Sequence, residues 1–178
     1  KSLNYYLNKA YIFTLFPAII CLLSIHFYSS EFMNLLFKTT IGSTLAKKVS
    51  LLFIFYYLQI ISSSILQAIG QVKIILINSF LSNLSRLTFI LVLPFFPTIN
   101  INSILYAVVI SIIISAIYLV INVFNKTKFN ININEFISLT FLVIISYFTF
   151  ELFIYFKLNF IISLLIVLIF NGLGFIKL

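Results

Sequence analysis

The sequence predicts an all-α, polytopic membrane protein, and three properties of the chain carry that prediction. Of its 178 residues, 63% are hydrophobic and only 8% are charged. The mean hydropathy is +1.24. Soluble domains carry about 25% charged residues, so this chain has too few charges to cover a water-exposed surface. The charges are also spaced so that they leave apolar runs of about 20 residues, the length of a helix that crosses a bilayer.

Six apolar runs are each predicted to form one transmembrane helix. The first lies between Lys9 and Glu31, and the second lies between Lys48 and Lys73. The third is interrupted by a single charge, Arg86, which is the only arginine in the chain. The predicted helices cover residues 10–30, 49–72, 74–97, 103–125, 136–156 and 158–176.

The other boundaries come from prolines, charges and loops. Pro94 and Pro97 end the third helix because proline has no amide hydrogen to continue the hydrogen-bond ladder. Lys126 follows the fourth helix, and Lys157 marks the turn between the last two. The longest link, residues 31–48, contains the stretch "EFMNLLF", which we predict to be a short interfacial helix.

The net charge of +8 does not indicate a nucleic-acid-binding protein. Its eleven basic residues are scattered over the segment ends, and no cluster exceeds the pair Lys47–Lys48. Such charges are typical of residues that set membrane topology, and their distribution favours both termini inside. The sequence has no nucleophile–base pair, metal-ligand cluster or Gly-rich phosphate loop. We therefore expect no enzyme activity, no metal and no cofactor.

Polar residues form stripes on the predicted helices, because residues three and four apart share a helix face. Such a stripe either packs helices together or lines a water-filled cavity. Packing is favoured for the first and fourth helices, whose stripes are small and hydroxyl residues such as Ser111 and Ser115. A cavity is favoured for the second and third, whose polar side chains are larger. The candidate cavity residues are Gln59, Ser63, Gln67, Asn78, Ser82 and Arg86.

Arg86 is the costliest of these residues. It follows Lys73 by about 20 Å of helix at 1.5 Å per residue, which places it inside the bilayer. An arginine at the bilayer centre costs about 2.5–3.5 kcal/mol on insertion scales. One hypothesis is that Arg86 binds an anionic substrate group, for which phosphate suits its fork of donors. The other is that it has a structural partner, such as backbone carbonyls or a carboxylate elsewhere.

Residues 55–92, "FYYLQIISSSILQAIGQVKIILINSFLSNLSRLTFILV", resemble polysaccharide-type flippases of the multidrug/oligosaccharidyl-lipid/polysaccharide exporter superfamily. The most similar members are stage V sporulation protein B-like proteins. In that family a helix ends in a pattern like "ILQAIGQVK" (65–73), and the following helix has a basic residue where Arg86 stands. The proline-containing stretch at 15–37 is also similar, so the resemblance covers most of residues 1–125.

The resemblance implies a transporter with two six-helix lobes around a central cavity. Residues 1–125 would supply four helices of the second lobe, and residues 126–178 would supply the two extra helices of the fourteen-helix members. The implied activity moves an undecaprenyl-linked saccharide, such as a peptidoglycan precursor, across the bacterial cytoplasmic membrane by alternating access. The implied partners are that lipid-linked substrate, membrane lipids and a missing amino-terminal lobe. We therefore expect this chain to be a fragment.

Three other functions stay open at this stage. A drug or cation antiporter of the same superfamily would need carboxylates inside the membrane, and Glu151 is the one this chain offers. A membrane-embedded enzyme acting on lipid-linked sugars would need catalytic histidines or carboxylates at the membrane face, which are nearly absent here. A structural membrane subunit would have no need of a buried arginine.

Overall fold

The computed structural model describes residues 3–95, 103–130, 132–156 and 158–175, and these residues form helices with no β-strand among them. A short 3-10 turn, Leu93–Phe95, extends the fifth helix. The helices are α1 Leu3–Phe27, α2 Ser29–Phe37, α3 Ser43–Ser50, α4 Leu52–Ala68, α5 Val72–Val92, α6 Ser103–Thr127, α7 Ile133–Tyr155 and α8 Phe160–Phe175.

The described part of the chain is helical, as predicted, and four of its helices are long and apolar enough to cross a membrane. These are α1, α5 with its 3-10 extension, α6 and α7. A fifth is obtained if α3 and α4, which are separated by a bend at Leu51, count as one span. The last helix, α8, is apolar but shorter within the described side chains.

The helix boundaries differ most from the sequence expectation at two places. The first helix begins at Leu3 rather than at residue 10, and a polar side chain in its first turns bonds to the backbone of the same helix. The amide Nδ2 of Asn8 donates to the carbonyl of Asn4 at 2.9 Å. The predicted second helix, 49–72, is interrupted near its start, where Ser50 Oγ donates to the Lys47 carbonyl at 2.7 Å. Such side-chain bonds compete with the helix ladder.

The chain divides into two compact units, and the boundaries fall inside α4 and just before α7. The first unit comprises residues 1–54 and 131–178. Helix α1 lies at its centre and contacts α2, α3, α7 and α8. Half of the residues in the spanning segment of α1 are buried, compared with 6% of those in α5. Because α1 packs against neighbours on several sides, it needs apolar residues on several faces.

Helices α1 and α7 run parallel, which two contacts at opposite ends establish. At their beginnings, the backbone amide of Asn132 donates to Asn8 Oδ1 at 3.1 Å. Towards their ends, the rings of Phe27 and Phe150 stack with centroids 5.9 Å apart. Tyr28 also contacts Phe150, at 6.3 Å between centroids. The aromatic cluster therefore closes the end of the unit where α1 finishes.

The second unit, residues 55–130, contains most of α4 together with α5 and α6. Helix α4 ends in a Schellman motif: Gln71 N donates to Leu66 O at 2.8 Å, and Gly70 N donates to Gln67 O at 3.0 Å. Gly70 has φ +75°, which is the left-handed conformation that this motif requires at that position. The stretch "LQAIG" is therefore the carboxyl-terminal cap of α4.

Helices α5 and α6 form the most extensive helix pair of the second unit. Helix α6 presents a row of buried residues at a spacing of four: Ala107, Ser111, Ser115, Leu119 and Val123. Helix α5 buries only Asn78 completely. Its large apolar side chains are exposed on the opposite side, which in a bilayer would contact lipid.

Candidate functional site

The candidate site is a polar seam between α5 and α6, formed by Asn78 and Arg86 on α5 and by Ser111 and Ser115 on α6. Asn78 Nδ2 donates to Ser115 Oγ at 2.8 Å, and Asn78 is only 3% exposed. Both serines are completely buried. The small serine side chains let the two backbones approach, and their hydroxyls accept from the longer side chains of α5.

Arg86 forms the second link of the seam. Its Nε donates to Ser111 Oγ at 3.4 Å, and the side chain is half-buried. Ser111 Oγ in turn donates to the carbonyl of Val108 at 2.8 Å. Because Asn78 meets Ser115 and Arg86 meets the earlier Ser111, the two helices run antiparallel.

The direction of the arginine side chain follows from helix geometry. Residues 78 and 86 lie about 12 Å apart along α5, whereas 111 and 115 lie about 6 Å apart along α6. Side chains on a helix lean towards its amino terminus. Arg86 therefore reaches back along α5 by about one turn to meet Ser111, and its guanidinium lies closer to the level of Asn78 than its Cα does.

Arg86 has no carboxylate partner among the described residues, where the hydroxyl of Ser111 accepts the one hydrogen bond found for it. A guanidinium carries five N–H donors, so four remain beyond the bond from Nε. Of the structural partners considered for Arg86, a carboxylate is not found within the described chain. The partner that the structure does supply, a serine hydroxyl, is neutral.

Asn78 also keeps an unmet hydrogen-bonding group. Its Oδ1 is buried and has no hydrogen-bond partner among the described residues. An unsatisfied buried acceptor costs about 1–3 kcal/mol. The seam therefore contains one buried spare acceptor on Asn78 and spare donors on the half-buried Arg86.

The other predicted cavity residues lie outside this hydrogen-bonded seam. Ser82 is half-buried on α5, one turn before Arg86. On α4, Gln59 is half-buried, Gln67 is exposed, and Ser63 Oγ donates to the Ile60 carbonyl of its own helix at 2.8 Å. No hydrogen bond joins any of these four residues to Arg86 among the described residues.

The fourth predicted helix behaves as the packing interpretation predicts at two positions. Ser111 and Ser115 face α5, as a stripe of small residues should. Asn122 instead uses its Nδ2 to donate to the Tyr118 carbonyl at 2.8 Å within α6. The polar stripe predicted from the sequence therefore contains two kinds of residue. Some contact the neighbouring helix, and others form their hydrogen bonds with the backbone of their own helix.

A second polar site was not anticipated from the sequence. Glu31, in the first unit, accepts a hydrogen bond at Oε2 from the backbone amide of Phe160 at 3.0 Å. Asn159 Oδ1 accepts from Ile161 N at 3.4 Å, so the first turn of α8 is capped from two sides. The only sequence signal was Asn159 itself, a good helix cap. Nothing local predicts that Glu31, 129 residues earlier, would reach the same turn.

The described part of the chain contains no group of three or more His, Cys, Asp or Glu side chains that could bind a metal ion. The single cysteine, Cys21, is a free thiol within α1.

Comparison with known proteins returned no similarity on which a function could rest. No family model, no curated protein and no solved structure matches this chain. Its function therefore has to be argued from its own residues and from the resemblance described above.

Proposed function

We propose that this chain is part of a bacterial membrane exporter that moves an undecaprenyl-linked saccharide across the cytoplasmic membrane by alternating access. The observation that carries the proposal is the position of Arg86. It lies in the interior of an apolar helix, is held by a neutral serine, and has no carboxylate partner among the described residues. A charge retained in such a place, at the cost of insertion, is best explained by an anionic substrate.

The chemistry of the seam suits a phosphate or pyrophosphate group. The planar guanidinium binds phosphate oxygens through parallel N–H donors, and one link to Ser111 orients that plane. Ser82, on the same helix, would add a hydrogen bond to the headgroup, while the buried Asn78 holds α5 against α6 through Ser115. Gln59, Ser63 and Gln67 on α4 would line the path of the saccharide, while the lipid tail stays in the bilayer.

The proposal also implies how the helices of this chain would be arranged in the whole transporter. The six predicted spans would form four helices of a second transporter lobe and two extra helices, with α3 and α4 counted as one span and α8 as the sixth. An amino-terminal lobe of the same protein would supply the facing half of the cavity. Transport would then require both lobes to move around the site near the membrane midplane.

The test is substitution of Arg86 in the full-length protein, in a strain that depends on it for precursor export. Arg86→Ala should abolish complementation and leave membrane insertion normal, because the charge is needed for the substrate and not for the fold. Arg86→Lys should restore it partly, since lysine keeps the charge but loses the bidentate fork.

Lys73→Ala is the matched control, because it removes one positive charge from the exposed beginning of the same helix. It should leave export unchanged. Full activity of Arg86→Ala, at normal protein level, would end the proposal that Arg86 binds the substrate.

The alternatives are less well supported by the described residues. An antiporter needs an intramembrane carboxylate, and neither of the two helices that form the seam carries an aspartate or a glutamate. A membrane enzyme needs a catalytic group at a membrane face, and the seam offers only amide, hydroxyl and guanidinium groups. A structural subunit does not require the spare donors of Arg86.

A further inference from the structure

Two clefts of the first unit share one carboxylate residue in their lining, Glu31. The larger measures about 300 Å³ and is lined by Glu31, Asn34, Leu35, Asn159, Phe160 and Ile161. The smaller measures about 240 Å³ and is lined by Phe27, Tyr28, Ser30, Glu31, Ile154 and Leu158. We call the larger one the Glu31 cleft.

The carboxylate of Glu31 is oriented but only partly used. Its Oε2 accepts from the amide of Phe160 at 3.0 Å, which fixes the group at the first turn of α8. This is the one hydrogen bond found for Glu31 among the described residues, and the side chain is exposed to the cleft. The second oxygen, Oε1, is therefore available to a donor that enters the cleft.

The walls of the Glu31 cleft are divided by polarity. Asn34 and Asn159 join Glu31 on the polar side, and all three carry side-chain oxygens that accept hydrogen bonds. Leu35, Phe160 and Ile161 supply apolar surface. An occupant therefore needs N–H donors with positive charge at one end and an apolar body at the other.

The location of the cleft indicates where such an occupant comes from. It lies where α1 ends and α8 begins, which is the level at which spanning helices meet the lipid headgroups. Tyr28, Tyr147 and Phe150 cluster at the same end, as aromatic residues do at membrane interfaces. Leu35, in the wall of the cleft, and Phe37, two residues further along α2, are exposed and would enter the acyl-chain boundary.

We propose that the Glu31 cleft binds the headgroup of a membrane lipid that carries a primary ammonium group. The ammonium donates to Glu31 Oε1 and to the side-chain oxygen of Asn34, while the first carbons of the acyl chains lie on Leu35 and Ile161. A quaternary ammonium has no N–H to donate, so the cleft discriminates between ethanolamine and choline headgroups. Its volume, at the lower end of ligand-site sizes, suits a headgroup.

The test measures lipid retention by the purified 178-residue chain using native mass spectrometry. The chain is presented with mixed micelles of phosphatidylethanolamine, phosphatidylcholine or phosphatidylglycerol that share the same acyl chains. The unmodified chain should retain phosphatidylethanolamine about threefold better than the other two lipids, since an exposed ion pair supplies only a weak attraction. Glu31→Gln should abolish that preference, because a neutral amide can still accept from Phe160 but attracts no ammonium.

Glu151→Gln is the matched control, because it removes an exposed carboxylate from α7, outside both clefts. It should keep the threefold preference. Equal retention of ethanolamine and choline lipids by the unmodified chain would overturn the proposal, as would a preference that survives Glu31→Gln. If circular dichroism shows that Glu31→Gln loses helix content, Asn34→Leu replaces it, since it leaves the bond to Phe160 intact. An unchanged preference in Asn34→Leu would then overturn the proposal.

Discussion

Asn78 and Arg86 share one face of α5, but their contacts with α6 differ in burial, length and charge. Asn78 is buried and donates to Ser115 with a short, 2.8 Å bond, whereas Arg86 is half-buried and reaches Ser111 at 3.4 Å. The first contact joins two neutral groups, and its main effect is to fix how the helices pair. The second leaves most of a charged group unused, so Arg86 is the residue from which a function can be argued.

The Asn78–Ser115 bond should be measurable as a coupling between two substitutions. We expect Asn78→Leu, Ser115→Ala and the double variant to give a coupling energy of about 0.6 kcal/mol and at most about 1.7 kcal/mol, the range found for hydrogen bonds between membrane helices. The measurement is reversible unfolding in detergent micelles. Asn83→Leu, at an exposed position of α5, is the matched control and should show no coupling to Ser115→Ala.

A coupling energy near zero would contradict the role given to this bond. The single variant Ser115→Ala is also informative, because it removes the acceptor of Asn78 Nδ2 while leaving the amide buried. It should destabilise the chain more than the double variant does, since removing both polar partners leaves neither group unsatisfied.

At the scale of elements, helix ends decide where the polar residues lie. The left-handed conformation of Gly70 ends α4 and allows α5 to begin at Val72. The start of this cap, "LQAIG", is also the stretch on which the family resemblance mainly rests. Its spacing to Arg86 has a physical meaning, because a cap at Gly70 sets the depth of Arg86 along α5.

Replacing Gly70 should therefore cost stability through the backbone alone. A Cβ at this position would meet no atom within 4 Å, so there is no clash to relieve. Gly70→Ala should cost about 1–2 kcal/mol, the cost of a left-handed conformation for an ordinary residue. Gly70→Asn should cost less, because asparagine tolerates that conformation. Unfolding in micelles measures both, and equal stability of Gly70→Ala and the unmodified chain would contradict the assigned cap.

At the scale of the whole molecule, residues distant in sequence complete the first unit. Helix α1 lies at its centre and packs against α7 and α8, which begin more than a hundred residues later. The parallel alignment of α1 and α7 rests on the bond from Asn132 N to Asn8 Oδ1 at their beginnings and on the stacking of Phe27 on Phe150 towards their ends. The division at residues 125 and 126 that the resemblance implies concerns membership of a larger transporter, and it stays a prediction.

The pairing of α1 with α7 can be tested by cross-linking. In a chain carrying Cys21→Ser, the pair Asn8→Cys and Asn132→Cys should form a disulfide on mild oxidation, since the side-chain oxygen of Asn8 lies 3.1 Å from the amide nitrogen of Asn132 and the two positions are therefore neighbours. The pair Phe13→Cys and Asn132→Cys is the control, because Phe13 is exposed and lies more than one turn further along α1. If a protease cut between the two helices yields two separate fragments under non-reducing conditions, the expected disulfide did not form and the pairing is contradicted.

Local properties were enough to predict the helical fold and several of its spans. Hydropathy and length depend only on neighbouring residues, so the long apolar helices and the polar face of α5 follow from the sequence. The break at Ser50 did not follow, because a side chain competing with the helix ladder leaves hydropathy unchanged. Of the predicted cavity residues, only Asn78 and Arg86 could be placed in one hydrogen-bonded seam, since a stripe shows which residues share a face and not which helix meets it.

The sequence by itself determined an all-helical chain with membrane-spanning helices and one arginine inside an apolar run, because periodicity and charge spacing are local. Tertiary structure alone decided the partners: Ser115 for Asn78, Ser111 for Arg86, and the first turn of α8 for Glu31. Those pairs join residues 25 to 129 positions apart. Their formation depends on which helix faces pack together, and packing is a property of the folded chain.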